Sequence, residues 1–258
     1  MSRSASSPSR VSASVPSRVT PILAEAARER LINAAGEVFA EVGFRAATVR
    51  DICTRAGVNI ASVNYYFGDK AGLYTEVLRY THAVARERYP LERDPGVSSE
   101  ESLRRFVRTF MMKILDQGRP AWHGKLMARE MVEPTTALDE IVSSTIRPTW
   151  DMLTSVVGEL LARRPDEAIV RDCAASVMGQ CLLFCHCRPV IERLFTERRY
   201  SHEQIMRLSE HIANFSIESI RNLRARGSRS ADPTRAGVQR SRTRRASVPK
   251  RRARAGGT

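Results

Sequence analysis

Residues 48–70, TVRDICTRAGVNIASVNYYFGDK, hold two short helical patterns on either side of Ala56-Gly57-Val58. Thr48 stands where an N-cap belongs and Asp51 follows three residues later, while Val49, Ile52 and Cys53 supply an apolar i, i+3, i+4 face. Gly57 suits the positive φ that ends a helix abruptly, Val58 suits the angle between two helices, and Asn59 suits the cap of the next one. In that second helix Ile60 and Val63 are expected to face inward, leaving Asn59, Ala61, Ser62, Asn64, Tyr65 and Tyr66 outside. The expectation is a helix-turn-helix.

The physical case for DNA is geometric. A helix enters the major groove only if the helix before it holds its exposed part against the base edges. Small and polar side chains suit that position, and no acidic residue occurs in the second helix before Asp69. An ordinary αα-hairpin shares the turn but has no reason to expose so many polar side chains.

Working outward, apolar residues at 27, 31, 34, 35, 38, 39 and 42 predict a supporting helix over Leu23–Val42 that Gly43 ends. Downstream, Asp69 is placed to cap a fourth helix carrying Leu73, Tyr74, Val77, Leu78 and His82. Pro90, Pro95 and Gly96 then interrupt the pattern before Ser98 and Glu101 restart it as a capping box. The next helix runs through Leu103, Phe106, Val107, Phe110, Met111, Ile114 and Leu115 and is expected to end near Gly118. Further helices are expected over 122–132, over 136–162 with a kink at Pro148, over 166–195 and over 201–224. No strand is expected.

At this point the residues carry a family likeness. Ala56-Gly57-Val58, Tyr65-Tyr66-Phe67, Lys70 and Leu73, with Arg30–Ala35 and Phe39–Phe44 upstream, resemble the N-terminal domain of TetR-type transcriptional regulators. The run Asn59–Lys70 resembles the CecR-like branch, as do Arg129–Thr135, Ile146-Arg147-Pro148 and His186–Ile191. Asn64 stands where the wider family commonly has an aromatic residue. The resemblance covers about Leu23 to Arg224.

What it implies is an all-α protein: a three-helix, helix-turn-helix domain plus a larger helical ligand-binding and dimerisation domain, about nine helices in all. The expected divisions are a disordered basic arm at 1–22, a DNA-binding domain at 23–69, an effector-binding and dimerisation domain at 70–225, and a disordered basic tail at 226–258. In the DNA site, Thr48, Tyr65 and Lys70 are expected to hold phosphates, with Arg50 nearby, while Asn59, Ala61, Ser62, Asn64 and Tyr66 approach bases. An effector cavity is expected at Phe110, Met111, Trp122, His123, Met127, Glu130 and Met131. A two-fold four-helix bundle is expected to bring Val177, Cys181, Phe184, Ile205, Leu208, Ile212 and Phe215 against their copies. The expected partners are palindromic double-stranded DNA, a small-molecule effector and a second copy of the chain, with no membrane and no cofactor.

Composition limits other readings. Of 258 residues, 42% are hydrophobic and 27% charged, ordinary for a globular chain. The net charge of +14 is less ordinary, but residues 1–22 contribute +3 and residues 224–258 contribute +11, so the body between them is neutral. A basic balance is therefore no argument for DNA binding by the folded part, which must rest on its pattern. The two ends lack the large apolar residues that offset chain entropy. Arg240, Arg242, Arg244, Arg245, Lys250, Arg251, Arg252 and Arg254 suit salt-dependent attraction to any polyanion. No window is expected to span a membrane and no apolar h-region marks a secretion signal, so a cytoplasmic location is expected.

Two alternatives stand beside this reading. Cys181, Cys185, His186 and Cys187 invite a metal or redox sensor, or an enzyme, but Cys187 points away from the other two and no second cluster completes a tetrahedral site. Cysteine in a buried helix more often acts as a small apolar residue. The basic tail invites a nonspecific nucleic-acid-binding protein. For catalysis, Glu130 and Glu133 share a helical face, but no nucleophile, phosphate loop or zinc-protease pattern accompanies them.

Overall fold

A computed structural model describes residues 19–115, 120, 122–196 and 200–230. Among these the chain is all-helical, with eleven α-helical segments and one π-helical turn. The expected end of a helix near Gly118 and most of both basic ends lie outside the described residues.

Two compact units form, and they do not follow chain order. Of the described residues, one unit holds 19–90, 120 and 122–147; the other holds 91–115, 148–196 and 200–230. Each has its own apolar core.

In the first unit, α1 (Val19–Ala46) packs against α2 (Val49–Ala56) and α4 (Lys70–Arg88), and α3 (Ala61–Phe67) packs on α4. Leu31, Phe39, Ile52, Val63, Leu73 and Leu78 are fully buried together, each contributing roughly 1.5–3 kcal/mol by leaving water. The break expected at Gly43 is present as φ 82°, ψ 166° inside α1. Val42, expected on the apolar face, is instead 48% exposed, since it is the last helical residue before that break. The helix also starts earlier than expected, at Val19 inside the proposed arm, with Pro21 in the first turn, where its missing N–H costs nothing.

Two helices not expected beside the reading head complete this core. α6 (Trp122–Val132) packs on α1, and α7 (Ala137–Ile141) packs on α4. The close approach of α6 depends on Gly36, where a Cβ would fall 2.5 Å from the Trp122 indole.

The second unit is built from α5 (Ser99–Leu115), α8 (Arg147–Leu161), α9 (Ala168–His186), α10 (Arg188–Leu194) and α11 (His202–Ser230); α8 donates its first residue to the other unit. The capping box is present in part, since the Glu101 amide donates to Ser98 Oγ at 3.2 Å. α5 lies along α11, where Arg104 donates to Asn214 at 2.7 Å and Arg221 donates to Glu100 at 2.7 Å.

The expected nine helices become more because two long ones break. The segment 136–162 divides into α7, a π turn at Val142–Ile146 and α8: Pro148 lacks the N–H its position in an α-helix needs, and a π turn just before it absorbs the mismatch. The segment 166–195 divides at Cys187, with Pro189 in the first turn of α10. At the other end α11 continues past 225 to Ser230, helped by Arg224 donating to the Leu160 carbonyl at 3.3 Å. One further correction concerns α9, which is long and apolar enough by length and composition to cross a membrane, with mean hydropathy 1.4. Its Val170, Cys173, Ala174, Val177 and Cys181 are buried in the second core.

Candidate nucleic-acid interface

The corner before α2 is capped as its sequence dictates. Thr48 Oγ1 accepts the Asp51 amide at 3.1 Å and donates to Asp51 Oδ2 at 2.6 Å. Both Thr48 and Arg50 are exposed. α2 ends at Gly57 in the left-handed region, φ 65° and ψ 39°, with the Val58 amide reaching back to Cys53 O at 3.1 Å. Gly57 is therefore the residue that permits the tight turn, and Val58 tucks against the core behind it. Asn59 then accepts the Ala61 amide on Oδ1 at 2.9 Å, opening α3.

The outer surface of α3 is specific in content. Ala61, Asn64 and Tyr65 are exposed, Tyr65 by 81%, while Ser62 and Tyr66 are half-buried. Tyr66 packs on the core and meets Tyr65 edge-on at 4.8 Å. Val63 is fully buried as expected, but Ile60, expected beside it, is 48% exposed. Ile60 stands at the N-cap, in the turn ahead of the first residue of α3, before the stretch whose inner face the core covers. Its signal was position: an apolar residue at a cap need not follow the helix's inner stripe.

Lys70 is also placed differently from a free phosphate ligand. Its Nζ donates to the carbonyls of Phe44 at 3.0 Å, Arg45 at 3.4 Å and Ala47 at 3.0 Å, and lies 4.7 Å from the centre of the Phe44 ring. An ammonium has three donors, so all are engaged within the chain. Lys70 thereby closes the carbonyl end of α1.

The head is tied internally by charge. Arg55 donates from both terminal nitrogens to the two Glu41 oxygens, each at 3.0 Å, and reaches Glu37 at 3.5 Å. The Arg55 hydrogen bond holds the Glu41 carboxyl below its usual range. Glu76 of α4 pairs with Arg28 of α1 and with Arg79, which in turn pairs with Glu140 of α7.

The residues expected at an effector cavity fall in both units. Phe110 and Met111 belong to the second core. Trp122 and His123 are buried in the first unit, Met127 packs on its core, and Met131 is 43% exposed. Glu130 is fully buried and accepts from Tyr74 Oη at 2.7 Å, from the Thr135 amide at 2.9 Å and from Thr135 Oγ1 at 3.0 Å. Burial first, and that hydrogen bond second, push the Tyr74 phenol well above its ordinary range. Two surface hollows in the second unit are lined by other residues: Leu91, Arg93, Arg105, Phe106, Met152 and their neighbours around one, Tyr200, Gln204, Arg207, Leu208 and His211 around the other.

Of the residues expected at a dimer interface, Val177, Cys181, Ile205 and Ile212 are buried in the chain's own core. They sit in the buried cluster that α5, α9 and α11 share, which leaves little of their surface for a partner. Phe184 and Leu208 are half-buried, and Phe215 is 59% exposed. Burial pushes the Cys181 thiol up to about 12, and among the described residues no three His, Cys, Asp or Glu side chains are grouped to hold a metal ion.

Comparison with known sequences decides the family. Residues 31–77 match "Bacterial regulatory proteins, tetR family", and residues 99–220 match "HTH-type transcriptional dual regulator CecR, C-terminal domain". The chain belongs to the TetR family. It is 33% identical over 148 residues to the HTH-type transcriptional dual regulator CecR of Shigella flexneri, covering 53% of this chain and 66% of that one. It is 40% identical over 73 residues to the regulator BetI of Stenotrophomonas maltophilia, covering 26% of this chain and 37% of that one. The chain thus spans less than two thirds of the length of these curated relatives. The fold matches that of the transcriptional regulator FadR from Bacillus subtilis, solved in complex with stearoyl-CoA, with TM-score 0.55 and 15% identity over 73% of this chain and 97% of that one.

Proposed function

We propose that this TetR-family protein is a ligand-responsive repressor that binds a palindromic DNA operator as a homodimer and leaves it when a small hydrophobic or aromatic effector binds. The observation that carries the DNA part is the outward face of α3: Ala61, Asn64 and the 81%-exposed Tyr65 stand free while Val63 anchors the helix beneath them. Asn64 offers the paired donor and acceptor that match an adenine edge, and Thr48, Arg50 and Tyr65 flank the face to meet phosphates.

One such helix gives little affinity, so two linked heads are needed to read a site together. Ile169 and Leu183 of α9 and Phe215 of α11, all at least 40% exposed, support an interface along those two helices. Effector uptake by the helices of residues 70–225 is the switch in this reading, opposing operator binding through a change in the spacing of the heads. The site of action is the cytoplasm, and no catalytic step is assigned.

The deciding experiment uses the DNA immediately upstream of the protein's own reading frame. Purified chain is expected to protect an inverted repeat there from nuclease at moderate ionic strength. Equal affinity for that repeat and for random duplex would overturn the reading in favour of nonspecific binding.

A further inference from the structure

Ile60 leaves 48% of its surface open in the turn between α2 and α3. Its backbone is already helical, φ −53° and ψ −37°, so the 100° or so of rotation per residue carries through it into α3. On that spiral Ile60 lies next to Asn64, four residues on, with Ala61 and Tyr65 beside them. These four residues are exposed, and together they form one outward strip. Val63 and the half-buried Tyr66 occupy the other side, and the half-buried Phe67, seven residues on from Ile60, closes the edge of the strip.

An isoleucine on a polar strip selects its counterpart. The base edges of the major groove carry hydrogen-bonding atoms, except for the C5-methyl of thymine. Pressed against any other edge, Ile60 would strip water from polar atoms and return no hydrogen bond. Against the methyl it buries apolar surface on both partners. Its β-branched side chain also has little χ1 freedom to lose on contact.

We propose that Ile60 is a specificity-determining residue that reads a thymine methyl beside the base met by Asn64. The proposal rests on the reading above that α3 enters the major groove. It adds a base preference that the polar residues alone do not provide.

The test begins with the full chain selecting from a library of random duplexes. In the enriched site each thymine is then replaced singly by uracil, which removes the methyl and nothing else. At one thymine in each half-site the wild type is expected to bind the uracil form about fourfold more weakly, the effect of one buried methyl. Ile60→Ala, whose thermal unfolding is expected to match the wild type because the side chain is exposed, should bind both forms alike. A site with no uracil penalty at any thymine overturns the proposal, as does a penalty that survives in Ile60→Ala. If selection enriches no sequence at all, the groove-reading role of α3 fails, and this inference fails with it.

Discussion

Arg55 of α2 grips the Glu41 carboxylate of α1 through two hydrogen bonds of 3.0 Å each. This paired geometry fixes the second helix against the end of the first. The consequence is a dependence on acid. Glu41 is held below its ordinary value of 4.5 by Arg55, so the folded state binds its proton less readily than the unfolded chain. The stabilisation is present above the ordinary carboxylate range and is lost as pH falls through the depressed value. Thermal midpoints measured from neutral pH into acid should fall less steeply for Glu41→Gln than for the wild type. Parallel curves would show that the pair adds nothing.

The indole of Trp122 occupies the space a side chain at Gly36 would need. Gly36→Ala should therefore lower stability by about 1–3 kcal/mol through overpacking, despite alanine's better helix propensity. Chemical denaturation followed by tryptophan fluorescence would measure it. A stabilised variant would mean that α6 can move away from α1 without cost.

Glu130 accepts three hydrogen bonds in full burial, of which Tyr74 Oη provides one. Tyr74→Phe removes one donor and leaves the carboxylate two, for an expected cost of about 1–3 kcal/mol. Glu130→Ala strands the buried phenol as well as the Thr135 groups and should cost more. Denaturant midpoints for the two variants would rank them, and the reverse order would contradict the assignment.

Burial places the Cys181 thiol at about 12, so almost none of it is thiolate near neutral pH. Native protein treated with iodoacetamide at pH 7.5 should be modified at the half-buried Cys187 and spared at Cys181, as read by peptide mass spectrometry. Rapid labelling at Cys181 would revive a thiol-based sensor.

Tyr65 exposes 81% of its surface and contributes nothing to the core. Tyr65→Ala should leave thermal stability and oligomeric state unchanged while weakening duplex binding at least tenfold, measured by fluorescence anisotropy. Unchanged affinity would remove Tyr65 from the proposed interface.

The reading head was legible because its punctuation is local. Thr48, Gly57 and Asn59 each act on backbone groups within a few residues, so their roles follow from the chain itself. What escaped depends on neighbours distant in sequence. Nothing local tells that Lys70 is absorbed by carbonyls 23 to 26 residues earlier, or that α6 covers Gly36. Likewise, α9 and α11 display apolar residues on more than one side, and only their packing in the second core determines that Val177 and Ile212 turn inward while Leu183 and Phe215 do not. Ile60 escaped for another reason: periodicity assumes a covered face, and the covered face of α3 begins only after it, at Val63.

The ammonium of Lys70 sits on the first residue of α4 yet grips the corner that leads into α2. That electrostatic stitch ties the start of α4 to the corner directly. A neutral residue in place of Lys70 would unpick it while leaving the caps of α2 and α3, which are made by Thr48, Gly57 and Asn59, intact.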